Sequence, residues 1–269
     1  MGWPISHSRS PILHGYWLKT YKIDGVYLPF PVAPKNLEIC LRTLPKLGFV
    51  GSNITVPHKE AALKFCDRID DLACQIGAVN TIVVEKDGSL SGSNTDAFGF
   101  LENLRAESNW NPNNGPTMIL GAGGSARAIL VAMINAGIGD ILITNRSQLR
   151  SEQLASEFAP HCTAIPWGNV SSKLNGISLL INATTLGMSG QPPLELSLDA
   201  LPVSAVVYDI VYSPLKTNLL RRASQRGNPV VDGLGMLLHQ ARPGFGAWFG
   251  HLPEVTGELR KIITEDLTS

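Results

Sequence analysis

The chain has 269 residues, with 22 Lys+Arg against 22 Asp+Glu, a formal net charge of +0 and 44% hydrophobic residues. That balance gives no field to hold nucleic acid or an anionic membrane surface, while the apolar content can build a substantial core in one large domain or two ordinary ones. No apolar run reaches the ~18 residues of a membrane span, His7, Arg9, His14 and Lys19 break any signal-peptide pattern, and Cys40, Cys66, Cys74 and Cys162 form no C-x-x-C pair, so the expectation is a reduced, cytoplasmic protein without a metal site.

The N-terminal segment places Ser8 and Ser10 before Pro11 and an apolar-periodic run (Ile12, Leu13, Tyr16, Trp17). This predicts a helix capped by Ser8 or Ser10. The two hydroxyls read either as a plain cap or, beside exposed helix N–H groups, as a site for an anion such as a carboxylate. Val26 to Phe30 reads as a strand, residues 34 to 47 as a helix closed by Gly48, and Phe49 to Ile54 as a strand. Pro57 is pre-set for a first helical position, so Lys59 falls just inside a helix start. The positive end of the helix dipole makes a lysine unwelcome there. Such a lysine is either solvated surface or a group with a task. A short helix from Asp70 to Ile76 ends at Gly77; a strand from Ala78 to Val84, an Asp87-Gly88 turn and a return strand from Leu90 to Ser93 follow. Asn94-Thr95-Asp96 then opens a helix with Phe98, Phe100, Leu101 and Leu104 at helical spacing.

The Asn-, Pro- and Gly-dense residues 108 to 116 read as a loop between two lobes. Met118 to Leu120 is a short buried strand, and Gly121-Ala122-Gly123-Gly124-Ser125-Ala126 leads into an apolar helix closed by Gly137. This is G-x-G-x-x-A in the strand–turn–helix setting of a dinucleotide site. Gly121 permits the tight turn, Gly123 lets backbone approach a pyrophosphate, and Ala126 lets the helix pack close. The next strand, Ile141 to Thr144, ends in Asn145 and Arg146, with Arg150 one helical turn later. An NAD fold usually holds the ribose 2′-hydroxyl with an acidic residue at that strand end. Guanidinium groups grip a phosphate instead, so the cofactor is read as NADP; two solvated arginines are the bland alternative. Strands at Leu179 to Ile181 and Ala205 to Ile210 follow, and open α/β sheets bind ligands beyond such carboxyl ends. After Val230-Val231-Asp232-Gly233, a helix from Leu234 to His239 or beyond carries Gln240, and a final amphipathic helix starts from Pro253. The expected architecture is α/β: an N-terminal α/β substrate lobe (residues 1–96 and 233–269) and a Rossmann-like dinucleotide-binding lobe (97–232), with the C-terminal helices returning to the first lobe.

Along essentially its whole length the chain resembles the shikimate dehydrogenase family. The motifs that carry the resemblance are HSRSP with Ser8 and Ser10, NITVPHK with Thr55 and Lys59, GAVNT with Asn80, and GSNTDAFG with Asp96. They continue with GAGGSARA, NRSQLR with Arg146 and Arg150, NATTLGM, YDIVYSPLKT with Tyr212, and GLGMLLHQ with Gln240. The resemblance implies reversible reduction of 3-dehydroshikimate to shikimate with NADPH, a step of aromatic amino-acid biosynthesis. It implies that Ser8, Ser10 and Tyr212 hold the substrate carboxylate, and that Thr55, Asn80, Lys59, Asp96 and Gln240 surround the ring hydroxyls. The cofactor set, residues 121–126 with Asn145, Arg146 and Arg150, is completed by Thr184, Ile210 and Gly233. The implied partner is a small-molecule substrate, and a homodimer is compatible with the pattern. The resemblance also implies a first strand ahead of the Gly-Trp-Pro turn, of which this chain has only Met1, so weak bracing of Ser8 and Ser10 is expected.

Hydride transfer to a carbonyl carbon leaves negative charge on its oxygen, which a nearby ammonium stabilises and protonates. Lys59 is therefore assigned proton transfer, and Asp96, itself at a helix start that favours a carboxylate, is assigned the task of orienting it and accepting a substrate hydroxyl. His7 and His58 flank these residues and are read as structural; His14, His161, His239 and His251 lack a partner pattern. Two other readings are a quinate/shikimate dehydrogenase, which an acidic residue in place of Arg146 would have favoured, and a non-catalytic ligand-sensing module of the same fold, which could dispense with Lys59 and Asp96.

Overall fold

Short apolar runs alternating with helical spacing build two separate sheets. The computed structural model describes residues 1–268 and divides into two units: Met1–Gly99 together with Leu237–Ser269, and Phe100–Met236.

In the first unit the elements are α1 (Ser10–Thr20), α2 (Leu37–Thr43), β1 (Gly51–Asn53), α3 (Lys59–Ala62), β2 (Arg68–Ile69), α4 (Asp71–Ile76), β3 (Thr81–Val84) and β4 (Leu90–Ser93). α5 (Asp96–Glu107) begins in this unit. The sheet order is β1-β3-β4-β2. β3 is antiparallel to both neighbours, and its register sets Thr81 opposite Asn53 on one side and Ser93 on the other. Leu37, Leu41, Ile54, Ala62, Val79, Ile82 and Leu90 form the core beneath it.

Four expectations are corrected here. Residues 26–30 form no strand, and the isolated bridge that follows them joins Pro31 to Gly2, because this stretch ends in prolines that cannot donate to a ladder. The cap of α1 is Arg9, neither serine, with Ser10 at the first helical position and Pro11 at the second. Pro57 lies in a turn before the cap His58, so α3 opens on Lys59 itself. The N-terminal residues are firmly held: the Met1 ammonium donates to Asn53 O at 2.7 Å, Thr55 N–H to Met1 O at 2.9 Å, Gly2 N–H to Phe30 O at 3.2 Å and Val32 N–H to Gly2 O at 3.0 Å. Residues 1–2 thus occupy a strand position between 30–32 and 53–55 and brace the segment leading to Ser8.

In the second unit six parallel strands form one sheet. The elements are β5 (Thr117–Leu120), α6 (Gly124–Asn135), β6 (Ile141–Thr144), α7 (Gln148–Glu157), β7 (Cys162–Ala164), β8 (Leu179–Asn182), β9 (Val206–Asp209), α8 (Asn218–Gln225) and β10 (Val230–Val231). The order β10-β9-β8-β5-β6-β7 reverses direction at β5, so the crevice beyond β5 and β8 is a topological switch point, where ligands of open α/β sheets bind. β5, β8 and β9 are buried at every position, as parallel strands covered on both faces must be.

α9 (Gly233–Phe249) and α10 (Gly257–Thr268) end the chain. α9 runs through Pro243, past the point where the sequence pattern weakens. Proline forfeits one backbone hydrogen bond, but continuing the helix buries Phe245 completely and lets Trp248 Nε1 donate to Ile82 O at 2.9 Å. Among the described residues no helix is long and apolar enough to cross a membrane.

Candidate active site

The first unit gathers polar side chains at the ends of β3 and β4 and the starts of α3 and α5. Lys59 Nζ donates to Asp96 Oδ2 at 2.5 Å, and both side chains are buried. Asn80 ties this pair to its surroundings. Its Nδ2 donates to Asp96 Oδ1 (2.7 Å), Thr95 Oγ1 (3.0 Å) and Gln240 Oε1 (3.3 Å). Its Oδ1 accepts from Thr95 N–H (2.9 Å) and Thr81 Oγ1 (2.9 Å). Asp96 N–H is satisfied by Asn94 Oδ1 at 2.9 Å, and Asn94 Nδ2 donates to Ala78 O at 2.8 Å. The turn between β4 and α5 is therefore built from its own Asx side chains, as Asn-Thr-Asp sequences favour.

The network continues away from the ion pair. Asn53 Nδ2 donates to Thr81 Oγ1 at 3.1 Å, and Tyr27 Oη donates to Asn53 Oδ1 at 2.8 Å. Burial raises the Tyr27 phenol above its usual value, against a side-chain hydrogen bond with Ser10 that lowers it. Ser10 is thus joined to the Lys59 group through Tyr27, Asn53, Thr81 and Asn80. Ser8 Oγ accepts from Ser10 N–H at 3.3 Å. Thr55 is half-buried, and a Cβ on Gly2 would come within 2.5 Å of its Cγ2. Neither Ser8 nor Thr55 side chain joins the hydrogen-bonded group among the described residues. His58 Nε2 pairs with Val32 O at 2.7 Å in the interior, a structural bond. Gly99 is what admits Gln240: a Cβ there would lie 2.5 Å from Gln240 Cβ and 2.6 Å from its N. Sequence reasoning passed over Gly99, Thr81, Thr95, Asn53 and Tyr27. A glycine inside a helix, disfavoured by about 1 kcal/mol against alanine, was the readable signal for the first; the others are polar residues whose pairing only the sheet register reveals.

In the second unit, β5 leads into Gly121, whose φ of 116° suits glycine. Gly121 N–H donates to Thr144 O at 2.7 Å. A Cβ on Gly121 would meet Ala183 O at 2.9 Å and Thr184 Cγ2 at 3.2 Å. Gly123 caps α6, and a Cβ there would meet nothing within 4 Å. An open glycine cap with the start of a 12-residue helix behind it fits the pyrophosphate of a dinucleotide. Ala126 is fully buried against the sheet, Ala122 is buried, and Gly124 and Ser125 are half-buried at the helix start. Beyond β6, Asn145 Nδ2 donates to Ser147 O at 3.1 Å, and Arg146 and Arg150 are exposed.

Asn182 and Asp209 end β8 and β9 side by side in register. Asn182 Nδ2 donates to Asp209 Oδ1 at 2.9 Å, and Thr184 Oγ1 to Asn182 Oδ1 at 2.7 Å. Burial pushes the Asp209 carboxyl up to about 6, against the Thr217, Val211 and Asn182 hydrogen bonds that lower it. Ile210 N–H donates to Asn182 O at 3.0 Å, and Gly233 packs so tightly on Ile210 O that no side chain fits. Tyr212 follows in the same loop and is half-buried.

A glycine turn opening a helix at the switch point of a parallel sheet, carried with a separate unit that buries a lysine–carboxylate pair, defines a two-unit dinucleotide-binding protein. Residues 1–82 match the shikimate dehydrogenase substrate binding domain, and residues 105–188 match the shikimate / quinate 5-dehydrogenase family. A shikimate dehydrogenase (NADP(+)) of Paramagnetospirillum magneticum is 55% identical over 264 residues, covering 98% of this chain and 96% of that protein. The shikimate 5-dehydrogenase of Thermus thermophilus, solved with NADP(H) and shikimate, superposes with a TM-score of 0.86 at 35% identity over 99% of this chain and 97% of that one. A quinate dehydrogenase from Corynebacterium glutamicum, solved with NAD, gives 0.90 at 27% identity over 98% and 96%. The chain belongs to the shikimate dehydrogenase family.

Proposed function

We propose that this protein catalyses the NADP-dependent, reversible reduction of 3-dehydroshikimate to shikimate in aromatic amino-acid biosynthesis, the first unit holding the substrate and the second the cofactor. The observation that carries this reading is the buried Lys59–Asp96 contact fixed by Asn80, in a chain whose relatives bear that activity in their names. NADPH, when bound, supplies the hydride to the carbonyl carbon. The Lys59 ammonium stabilises the negative charge arising on the carbonyl oxygen and passes a proton to it. Asp96 holds the ammonium in place with Oδ2 and leaves lone pairs for a substrate hydroxyl; Asn80 fixes the carboxylate from Oδ1. Gln240 and Thr55 border the ring hydroxyls, and Ser8 and Ser10 take the substrate carboxylate. In the second unit Gly123 and the α6 start hold the pyrophosphate, and Arg146 and Arg150 hold the 2′-phosphate.

NADPH formation with shikimate as sole substrate tests the activity, and Lys59→Ala is expected to lower turnover by roughly 10²–10⁴. Near-normal turnover in that variant would remove Lys59 from its role. The fold of the quinate dehydrogenase solved with NAD makes quinate with NAD the second reading. Initial rates on both substrates with both cofactors separate them: Asn145-Arg146 in place of an acidic residue predicts preference for shikimate with NADP.

A further inference from the structure

The ends of β8 and β9 place a carboxylate where a parallel sheet needs only apolar packing. Asp209 and Asn182 are each fully buried. Among the described residues no cation faces Asp209, and a buried carboxylate without a counter-charge is costly unless hydrogen-bond donors meet it. Donors meet both of its oxygens. Oδ1 accepts from Asn182 Nδ2 (2.9 Å) and Val211 N–H (3.0 Å), and Oδ2 accepts from Thr217 Oγ1 (2.7 Å). Asn182 in turn uses its whole amide. Its Nδ2 also donates to Leu186 O at 3.1 Å, and its Oδ1 accepts both Thr184 N–H (3.1 Å) and Thr184 Oγ1 (2.7 Å). Thr184 Oγ1 closes the loop by accepting Leu186 N–H at 3.0 Å. One carboxylate therefore sets the backbone of residues 183–186 and, through Val211 and Thr217, both ends of the loop from β9 to α8. The first of these segments is the wall of the glycine turn, since Ala183 O and Thr184 Cγ2 stand 2.9 and 3.2 Å from where a Gly121 Cβ would be.

We propose that Asp209 is a positioning residue for cofactor binding, acting through Asn182 to hold Thr184 and Ala183 against the Gly121 turn. The proposal rests on the reading of the second unit as the NADP-binding unit. Asp209 touches no cofactor itself; its effect is the placement of a loop whose drift would fill the turn.

The test is calorimetric NADP binding together with steady-state kinetics for Asp209→Ala, Asn182→Ala, Asp209→Asn and the Asp209→Ala/Asn182→Ala double variant. Removing the acceptor of Asn182 is expected to weaken NADP binding and raise its KM by about tenfold, with the KM for shikimate unchanged within about twofold. Asn182→Ala gives the same change, and the double variant is no worse than either single one, because both cut one relay. Asp209→Asn keeps an oxygen facing Asn182 and Val211 and restores affinity to within about threefold of wild type. A folded Asp209→Ala that binds NADP normally, a loss of kcat with both KM values unmoved, or an Asp209→Asn as damaged as the alanine variant would each overturn the proposal. Where Asp209→Ala does not fold, Asn182→Ala decides: weakened NADP binding supports the relay and normal binding overturns it. Wild-type protein that fails to bind NADP would overturn the cofactor assignment itself, a result distinct from wild type binding and every variant binding equally.

Discussion

His14 gives the sharpest quantitative test of the first unit. Its ring is fully buried, both nitrogens lack a hydrogen-bond partner among the described residues, and it stacks on Tyr27 with centroids 4.2 Å apart and planes 2° from parallel. Trp17, Phe245 and Trp248 complete the enclosure. Burial pushes the imidazole from 6.5 down to about 3. The unfolded chain then binds a proton that the folded one refuses, so this residue's contribution to stability rises with pH between about 3 and 6.5 and is lost on acidification. From pH 7.5 to pH 5 the loss is about 1.5 pH units of linkage, or about 2 kcal/mol. His14→Phe keeps an aromatic ring on Tyr27 and removes the titration. Urea unfolding followed by tryptophan fluorescence is well placed to see it, since Trp17 and Trp248 both lie 5.6 Å from His14 by ring centroids. The variant is expected to lose about 2 kcal/mol less than wild type between those two pH values. Parallel pH dependences would refute the argument and mean that His14 finds a proton acceptor when folded.

Asp96→Ala removes the partner of a buried ammonium, so it is expected to lower turnover by roughly 10²–10⁴ and to destabilise the fold by about 3–5 kcal/mol, read by kinetics and by denaturant midpoint. Gly99→Ala forces α9 away at Gln240; it should raise the KM for shikimate about tenfold with NADP affinity unchanged, and an unaltered KM would show that Gln240 has no part in the site. Gly121→Ala combines a φ of 116° with a Cβ 2.9 Å from Ala183 O, and calorimetry should find NADP binding lost while the shikimate half stays folded. Arg146→Asp should raise the KM for NADP about 10–100-fold and leave that for NAD nearly unchanged; equal effects on the two cofactors would deny Arg146 the 2′-phosphate.

What the sequence could reveal divides by range of interaction. The glycine turn of 121–126 and the helix behind it were legible because strand, turn and helix are contiguous and each glycine answers a local steric demand. Gly77 and Gly48 as left-handed helix stops were legible for the same reason, while the short helix expected from Asp70 starts one residue later with Asp70 as its cap. Lys59 was conspicuous through its placement at a helix start. Tyr27, Asn53 and Thr81 were not, because their bonds span 26 and 28 residues and depend on the register of β1 on β3. The far end of α9 was left open beyond His239 because Pro243 is a local breaker, while Phe245 and Trp248, which hold the helix beyond it, act through distant partners. Asp209 and Asn182 sit at the ends of unremarkable strands, and only the parallel register that sets one beside the other turns them into a pair.

The misplaced lysine is explained by the unequal lengths of two helices. α3 has four residues before it tightens into a 3₁₀ turn, so few aligned peptide units oppose the ammonium at its start. α5 has 12 residues and opens on Asp96, so a much longer run of aligned peptide dipoles attracts a negative charge at its start. Asn80 adds a neutral donor to the same carboxylate at 2.7 Å. The long helix and the amide thus hold a negative charge in place, and that charge, 2.5 Å from Nζ, offsets the weak repulsion from the short helix. Exchanging the two residues would set a lysine on the long helix and a carboxylate on the short one, and both local fields would then oppose the pair. The orientation of the lysine–carboxylate pair is therefore fixed by backbone geometry, and the Lys59→Asp/Asp96→Lys double variant should recover neither turnover nor the stability lost in Asp96→Ala, even though it restores the same two charges.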